Sequence, residues 1–136
     1  GAAARYFSAA ERGCFTLLAI QTAVGVVGAV TDFPWRSRPS PRSFGDATPD
    51  CLIFSLEAGS ASVYRCRSPR GCVLRYTGES LEFGPSAEDG AALALDSSLG
   101  RARSAPSTLF RSPALVRASA SSVGAVACLS WAHLEG

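Results

Sequence analysis

With 136 residues, 47% of them hydrophobic, the chain is long enough for one domain with a core of its own. A net charge of +2 is too small to recruit nucleic acid or a membrane surface by bulk electrostatics. All thirteen cations are Arg, and Lys, Asn and Met are absent, a compositional bias that says little about ligands.

Residues 4–12 (ARYFSAAER) are good helix formers, and Gly13 follows as a C-terminal stop. The run CFTLLAIQTAVGVVGAV (14–30) is at the short edge of membrane-spanning length. Its centre is polar, and its second half is rich in β-branched residues and glycine. Two strands, Phe15–Gln21 and Val26–Thr31, joined by a turn at 22–25, account for these features better than a membrane span. Three prolines keep 33–46 irregular. CLIFSL (51–56) reads as a short strand buried on both faces. SVYRC (62–66) and CVLRYT (72–77) alternate around an RSPRG turn, which would let Cys66 and Cys72 face each other across a hairpin. Two more alternating runs follow, carried by Leu81 and Phe83 and by Ala91, Leu93 and Leu95, with a small acidic loop between them. The passage 100–122 is Ser- and Pro-rich, with apolar anchors at Leu109, Phe110 and Leu115, and 123–131 closes as a strand. Dense strands separated by turn signals predict a mainly β (α+β) fold: an antiparallel β-sandwich with few short helices, in a single domain spanning 1–136. Phe54, Leu56, Phe83, Leu93, Leu95, Phe110 and Trp131 are its expected core.

Few residues are arranged for chemistry. The sole histidine, His133, is four residues from the C-terminal end of the sequence, and no Gly-x-Ser-x-Gly elbow occurs. Glu88 and Asp89 are adjacent in a loop and read as solvated charges, not as a catalytic pair. Zinc would need two ligands beyond Cys66 and Cys72, and none is suitably spaced. Five cysteines without a dense framework suit a reducing compartment, and no cleavable leader precedes the first apolar run, so the expected setting is cytoplasmic. Trp35 reads as an anchor that ties its Arg-rich loop to the core.

The order of the pieces resembles the TLDc domain of oxidation-resistance proteins. FTLLAIQTAVGVVGAVT is similar to that family's paired opening strands, and Pro34, Trp35 and Arg36 to its PWR-like segment. SFGDATPDCLIFSLEAG matches its FGDG-ECFLFSL segment, and Val63 and Tyr64 its VY strand. LEFGPSAEDGAALALDSSLGRARS resembles its LGFGGG…GLWLD…GSS segment, APSTLFRSPAL its CETFGNPPL segment, and ACLSW its final LEVW strand. The resemblance runs collinearly from about residue 5 to residue 132. The chain departs from the family at Pro85–Asp89, where the family has glycines. It also departs at Ser107 and Thr108, at Arg111 and Ser112, and at Ala94, where the family has Trp. Much of the family's N-terminal helical portion has no counterpart here.

The resemblance implies a non-catalytic protein-interaction module, linked to oxidative-stress protection and to regulation of the vacuolar-type proton ATPase, with no cofactor. The competing expectation is a structural accessory subunit that uses a degenerate TLDc core as a scaffold within a larger complex. A small enzyme acting through the acidic loop ranks below both. The partner is expected to be a protein, with no nucleic acid and no membrane span. It would meet Arg36, Arg38 and Arg42 on the first long loop and Arg101 and Arg103 on the second, through an acidic surface.

Overall fold

A computed structural model of the chain describes residues 15–31, 42–46, 51–66, 72–76, 79–85, 90–116 and 122–131, with the backbone alone at 42–46, 72, 73, 76, 130 and 131. These residues are mainly β. Ten strands, in chain order, are β1 (Phe15–Thr22), β2 (Gly25–Thr31), β3 (Arg42–Asp46), β4 (Leu52–Glu57), β5 (Ser60–Arg65), β6 (Cys72–Tyr76), β7 (Ser80–Phe83), β8 (Leu93–Asp96), β9 (Ala102–Arg103) and β10 (Val123–Trp131). They form two five-stranded sheets, ordered β10-β1-β2-β4-β5 and β3-β6-β7-β8-β9, and every pairing between neighbours is antiparallel. No helix occurs among the described residues, and the expected helix over 4–12 lies outside them.

The expected opening hairpin is present, with Gln21 opposite Val26 and Thr16 opposite Thr31. The Thr22 hydroxyl donates to the Gly25 carbonyl at 3.1 Å and closes the turn. Period-two alternation then divides the residues. Leu18, Ile20, Val27, Ala29 and Ile53 point inward from the first sheet, and Leu74, Leu81, Phe83, Leu93 and Leu95 from the second. All ten belong to one buried cluster. Apart from Ala29, each such side chain stabilises the fold by roughly 1.5–3 kcal/mol on burial. Phe110, Leu115 and Val116 from the irregular passage join the same cluster, so the expected anchors Phe110 and Leu115 are core, and Leu109 packs against it half-buried.

Four expectations are corrected. Residues 42–46, expected to be irregular, form β3 against β6, because all three prolines of that passage precede Arg42 and leave its N–H groups free to pair. Leu56, expected in the core, is 42% exposed, because it lies on the outer face of the first sheet near the β4–β5 turn. Strand β4 is therefore not covered on both faces along its length: Ile53 is buried inward and Phe54 outward, while Leu56 and Glu57 are exposed. Nor do the strands around RSPRG form a hairpin. Strand β5 pairs with β4 in the first sheet, and β6 pairs with β3 and β7 in the second, so Cys66 and Cys72 belong to different sheets. Cys66 instead lies beside Cys51, its N–H donating to the Cys51 carbonyl at 2.9 Å, and both residues are buried. Alternation fixes which side of a strand faces the core, but leaves its neighbour open. Trp131 lies in β10 opposite Phe15, and its side chain is outside the described set.

Phe54 is buried without facing the core, because its ring lies on Gly28, directly opposite on β2. A Cβ on Gly28 would collide with the Leu18 carbonyl oxygen and come within 2.5 and 2.8 Å of the Phe54 ring. The glycine thus permits an aromatic ring to lie flat across the strand pair. Gly28→Val is expected to lower unfolding free energy by about 2–3 kcal/mol in urea titrations. An unchanged midpoint would show that the ring does not need that space.

Candidate functional site

One cross-strand row on the outer face of the second sheet runs Arg75, Glu82, Ala94, Arg103, each residue opposite the next on β6, β7, β8 and β9. Their outward direction follows from parity, since Leu74, Leu81, Phe83, Leu93, Leu95 and Ala102 are the buried neighbours. The Glu82 carboxylate is already committed. Arg75 donates to its Oε1 through Nη2 at 2.7 Å and through Nε at 3.0 Å, and the Ser80 hydroxyl donates to Oε2 at 3.1 Å. Beside it lies a concavity of about 230 Å³, lined by Glu82, Gly90, Ala91, Ala94, Arg103, Ser104 and Ala105. Arg103 is exposed at its wall, and no ion pair holds it among the described residues. The hollow is therefore lined by alanine methyl groups, glycine backbone, Ser104 and the Arg75-paired Glu82, and bordered by a cation. That arrangement suits a carboxylate on a small stem, which an Arg fork can grip through two hydrogen bonds.

Its walls are set by hydrogen bonds within the Ser-rich passage. Ser104 Oγ donates to the Ala92 carbonyl at 2.5 Å and accepts from Leu115 N–H at 2.7 Å. Ala105 N–H donates to the Ala91 carbonyl at 3.0 Å. Ser107 and Ser112 exchange backbone bonds at 2.9 and 3.1 Å, so much of the expected irregular loop is a closed, ordered turn. At the end of β7, Gly84 has φ of 61°, and a Cβ there would meet the Phe110 ring at 2.9 Å and Ala92 at 3.2 Å. The lack of bulk after Phe83 is thus explained at Gly84 by the close approach of Phe110. Glu88 and Asp89 lie outside the described residues.

The five arginines expected to meet a partner do not form one cluster. Arg42 begins β3, at one edge of the second sheet, while Arg103 is on β9 at the other edge, with Arg101 just before it. Four strand spacings separate these edges, roughly 19 Å. Arg36 and Arg38 are outside the described residues, as are His133 and Trp35. Arg101 and Arg103 flank the buried Ala102 and are both exposed. Residues missed at the sequence level are Arg75 and Glu82. An Arg and a Glu of matching parity on consecutive strands were the available signal, and it needed the register to be read.

Asp96 positions β9. Burial by itself would raise its pKa, but donors outweigh that and hold it below 3.8: Arg101 N–H at 3.1 Å, Gly100 N–H at 2.8 Å, the Ser98 hydroxyl at 3.0 Å and the nearby Leu99 N–H. Leu99 takes a φ of 61° within this turn. A second concavity, of about 180 Å³, opens between the inward side of the β4–β5 hairpin, through Ser55, Glu57, Ser62 and Tyr64, and residues 113–115.

No protein-family model and no curated protein matches the sequence. Among the described residues no helix is long and apolar enough to cross a membrane, and no group of three or more potential metal ligands gathers.

Two outcomes follow from the titrating groups. Because its folded pKa is depressed, Asp96 contributes stability that is present above its unfolded value and lost as pH falls through the folded pKa. Asp96→Asn should therefore cost about 1 kcal/mol at neutral pH, reduced by the site's exposure, and little in strong acid. Equal losses at both pH values would contradict the carboxylate's role. Burial pushes the Cys128 thiol up to about 11, so it stays protonated at neutral pH. Alkylation of the folded protein at Cys128 should be slow at pH 8 compared with the unfolded chain, and chain stability should fall as pH rises from the unfolded thiol's value toward 11. Mass spectrometry of labelled peptides would check the first outcome, and alkaline melting curves the second.

Proposed function

We propose that the chain is a non-catalytic protein-interaction module, a divergent β-sandwich of the TLDc type, that receives an acidic segment of a protein partner at the groove beside Arg103. The observation that carries this reading is electrostatic. Glu82, the groove's only carboxylate among the described residues, is neutralised by Arg75, while Arg103 faces the same hollow with no anionic partner among the described residues. Arg101, one strand repeat away, extends the cationic edge by roughly 7 Å. An acidic side chain or a chain-terminal carboxylate would find a charge to pair with and a floor small enough to admit it. Nothing in this arrangement pairs a nucleophile with a base, so the groove is suited to holding and not to transforming.

The resemblance supplies the biological setting: oxidative-stress protection, and association in the cytoplasm with the vacuolar-type proton ATPase or another large complex. No cofactor is needed for this role. Arg42, at the start of β3, would form a separate contact on the far edge of the second sheet, so a partner engaging it together with Arg101 and Arg103 must span that sheet.

Arg101→Gln and Arg103→Gln together should reduce recovery of the native partner in co-purification several-fold at moderate salt, with unchanged thermal stability. Arg36→Gln, Arg38→Gln and Arg42→Gln together should have a smaller, separable effect. Undiminished recovery with the first pair would remove the groove from consideration.

A further inference from the structure

We propose that the hollow between the β4–β5 hairpin and residues 113–115 is a binding site for a single arginine side chain of a protein partner. The hollow lies on the first sheet, and its role is independent of the Arg103 groove on the second.

The starting observation is polarity on a face where parity calls for apolar residues. Ile53 points inward from β4, and Ser55 and Glu57 follow it at the same parity. On β5 the residues directly opposite these three are Tyr64, Ser62 and Ser60. The inward face of the hairpin thus changes from a core row, Ile53 and Tyr64, to two polar rows, Ser55 with Ser62 and Glu57 with Ser60. Ser55 and Ser62 are half-buried, and Tyr64 packs against the core cluster. None of the four hydroxyls lining the hollow, nor the Glu57 carboxylate, has a side-chain hydrogen-bond or ion-pair partner among the described residues. Polar groups turned toward an interior are ordinarily paired there, so a set left open in one concavity is arranged to be satisfied from outside the chain.

The chemistry of the guest follows from this set. Glu57 is the one formal charge lining the hollow, so a cation is favoured, and the four hydroxyls add further acceptors. These acceptors lie in cross-strand rows roughly 7 Å apart. An ammonium donates from a single nitrogen, over about 2.9 Å, and serves one row. A guanidinium donates from three nitrogens in a fixed fork and can reach two. Pro113, Ala114 and Leu115 form the facing wall, whose apolar side chains suit the methylene stem that carries the fork. At about 180 Å³ the hollow is smaller than the roughly 300 Å³ at which small-molecule sites begin, and suits one long side chain. The two-residue turn at Ala58 and Gly59, with Gly59 at φ of 75°, holds Glu57 opposite Ser60. The acceptors are therefore in place before the guest arrives.

Amide NMR of the isotope-labelled full chain, titrated with the end-blocked peptide Gly-Ser-Arg-Ser-Gly, tests the assignment. The peptide should shift the amides of Ser55, Glu57, Ser60, Ser62 and Leu115, saturating in the millimolar range. The same peptide with citrulline for Arg keeps the shape and loses the charge, and should bind at least about tenfold more weakly. With Lys for Arg it should bind several-fold more weakly. Glu57→Gln alters an exposed position, and should leave circular dichroism and melting unchanged while weakening the Arg peptide by about tenfold. Free arginine should bind no more tightly than the peptide. Absence of shifts at these residues would overturn the proposal, and so would equal binding of the citrulline peptide or binding indifferent to Glu57→Gln. A Lys peptide that binds as tightly as the Arg peptide would overturn the choice of a guanidinium, and tighter binding of free arginine the choice of a protein side chain.

Discussion

The apolar core shared by the two sheets is the constraint from which the remaining surfaces follow. Once Leu18, Ile20 and Ile53 turn inward from the first sheet, and Leu81, Phe83 and Leu93 from the second, the period of two leaves no freedom to the residues between them. Leu17, Ala19 and Phe54 must line one outer face, and Arg75, Glu82, Ala94 and Arg103 the other. A one-residue slip in β7 would exchange Glu82 with Phe83, burying a carboxylate and exposing a ring. The price of that exchange in a close-packed interior is several kcal/mol, which is why the groove and the apolar face are as securely placed as the core itself.

A ring laid on a glycine occurs twice in this chain, and each time it turns a weak place into a fixed one. Phe54 covers Gly28 in the first sheet, and Phe110 lies against Gly84 beside the second. The two contacts differ in what they constrain. At Gly28 the backbone is ordinary strand, and the missing side chain only makes room. At Gly84 the backbone itself has positive φ, so both room and conformation favour glycine. Through that second contact the passage around Phe110 is joined to the end of β7, and the Ser104 hydroxyl joins the same passage to Ala92 and Leu115. The Ser104 wall of the Arg103 groove is thus held to β8's approach and to residue 115 by two hydrogen bonds of one hydroxyl.

Strand existence was legible in the sequence wherever alternation was clean. The β1–β2 pair, the runs at Leu81–Phe83 and Leu93–Leu95, and the closing strand all match their expected places within a residue or two. Partner choice was not. Cys66 and Cys72 flank a turn-like RSPRG, yet their strands join different sheets, because alternation carries no information about which strand lies alongside. Leu56 was misplaced for a related reason. A continuous apolar run suggests cover on both sides, but nothing described in the structure covers the outer end of β4. The groove depends on register across β6 to β9, so single residues such as Arg103 could be nominated from sequence while their setting with Arg75 and Glu82 could not.

The pairing of β1 with β10 also bears on how the molecule is made. Phe15 meets Trp131 and Ile20 meets Val126, so β1 is completed by a strand that follows it by more than a hundred residues. The β1–β2 and β4–β5 hairpins can form from local contacts as soon as they leave the ribosome, but one flank of β1 must wait for the distant β10. During that interval it presents unpaired N–H and C=O groups beside an apolar surface, the combination that invites pairing with a neighbouring nascent chain. Synthesis speed and chaperone access would then govern yield more strongly than the final stability of the fold, and a circular permutant joining β10 directly to β1 would shorten the exposure.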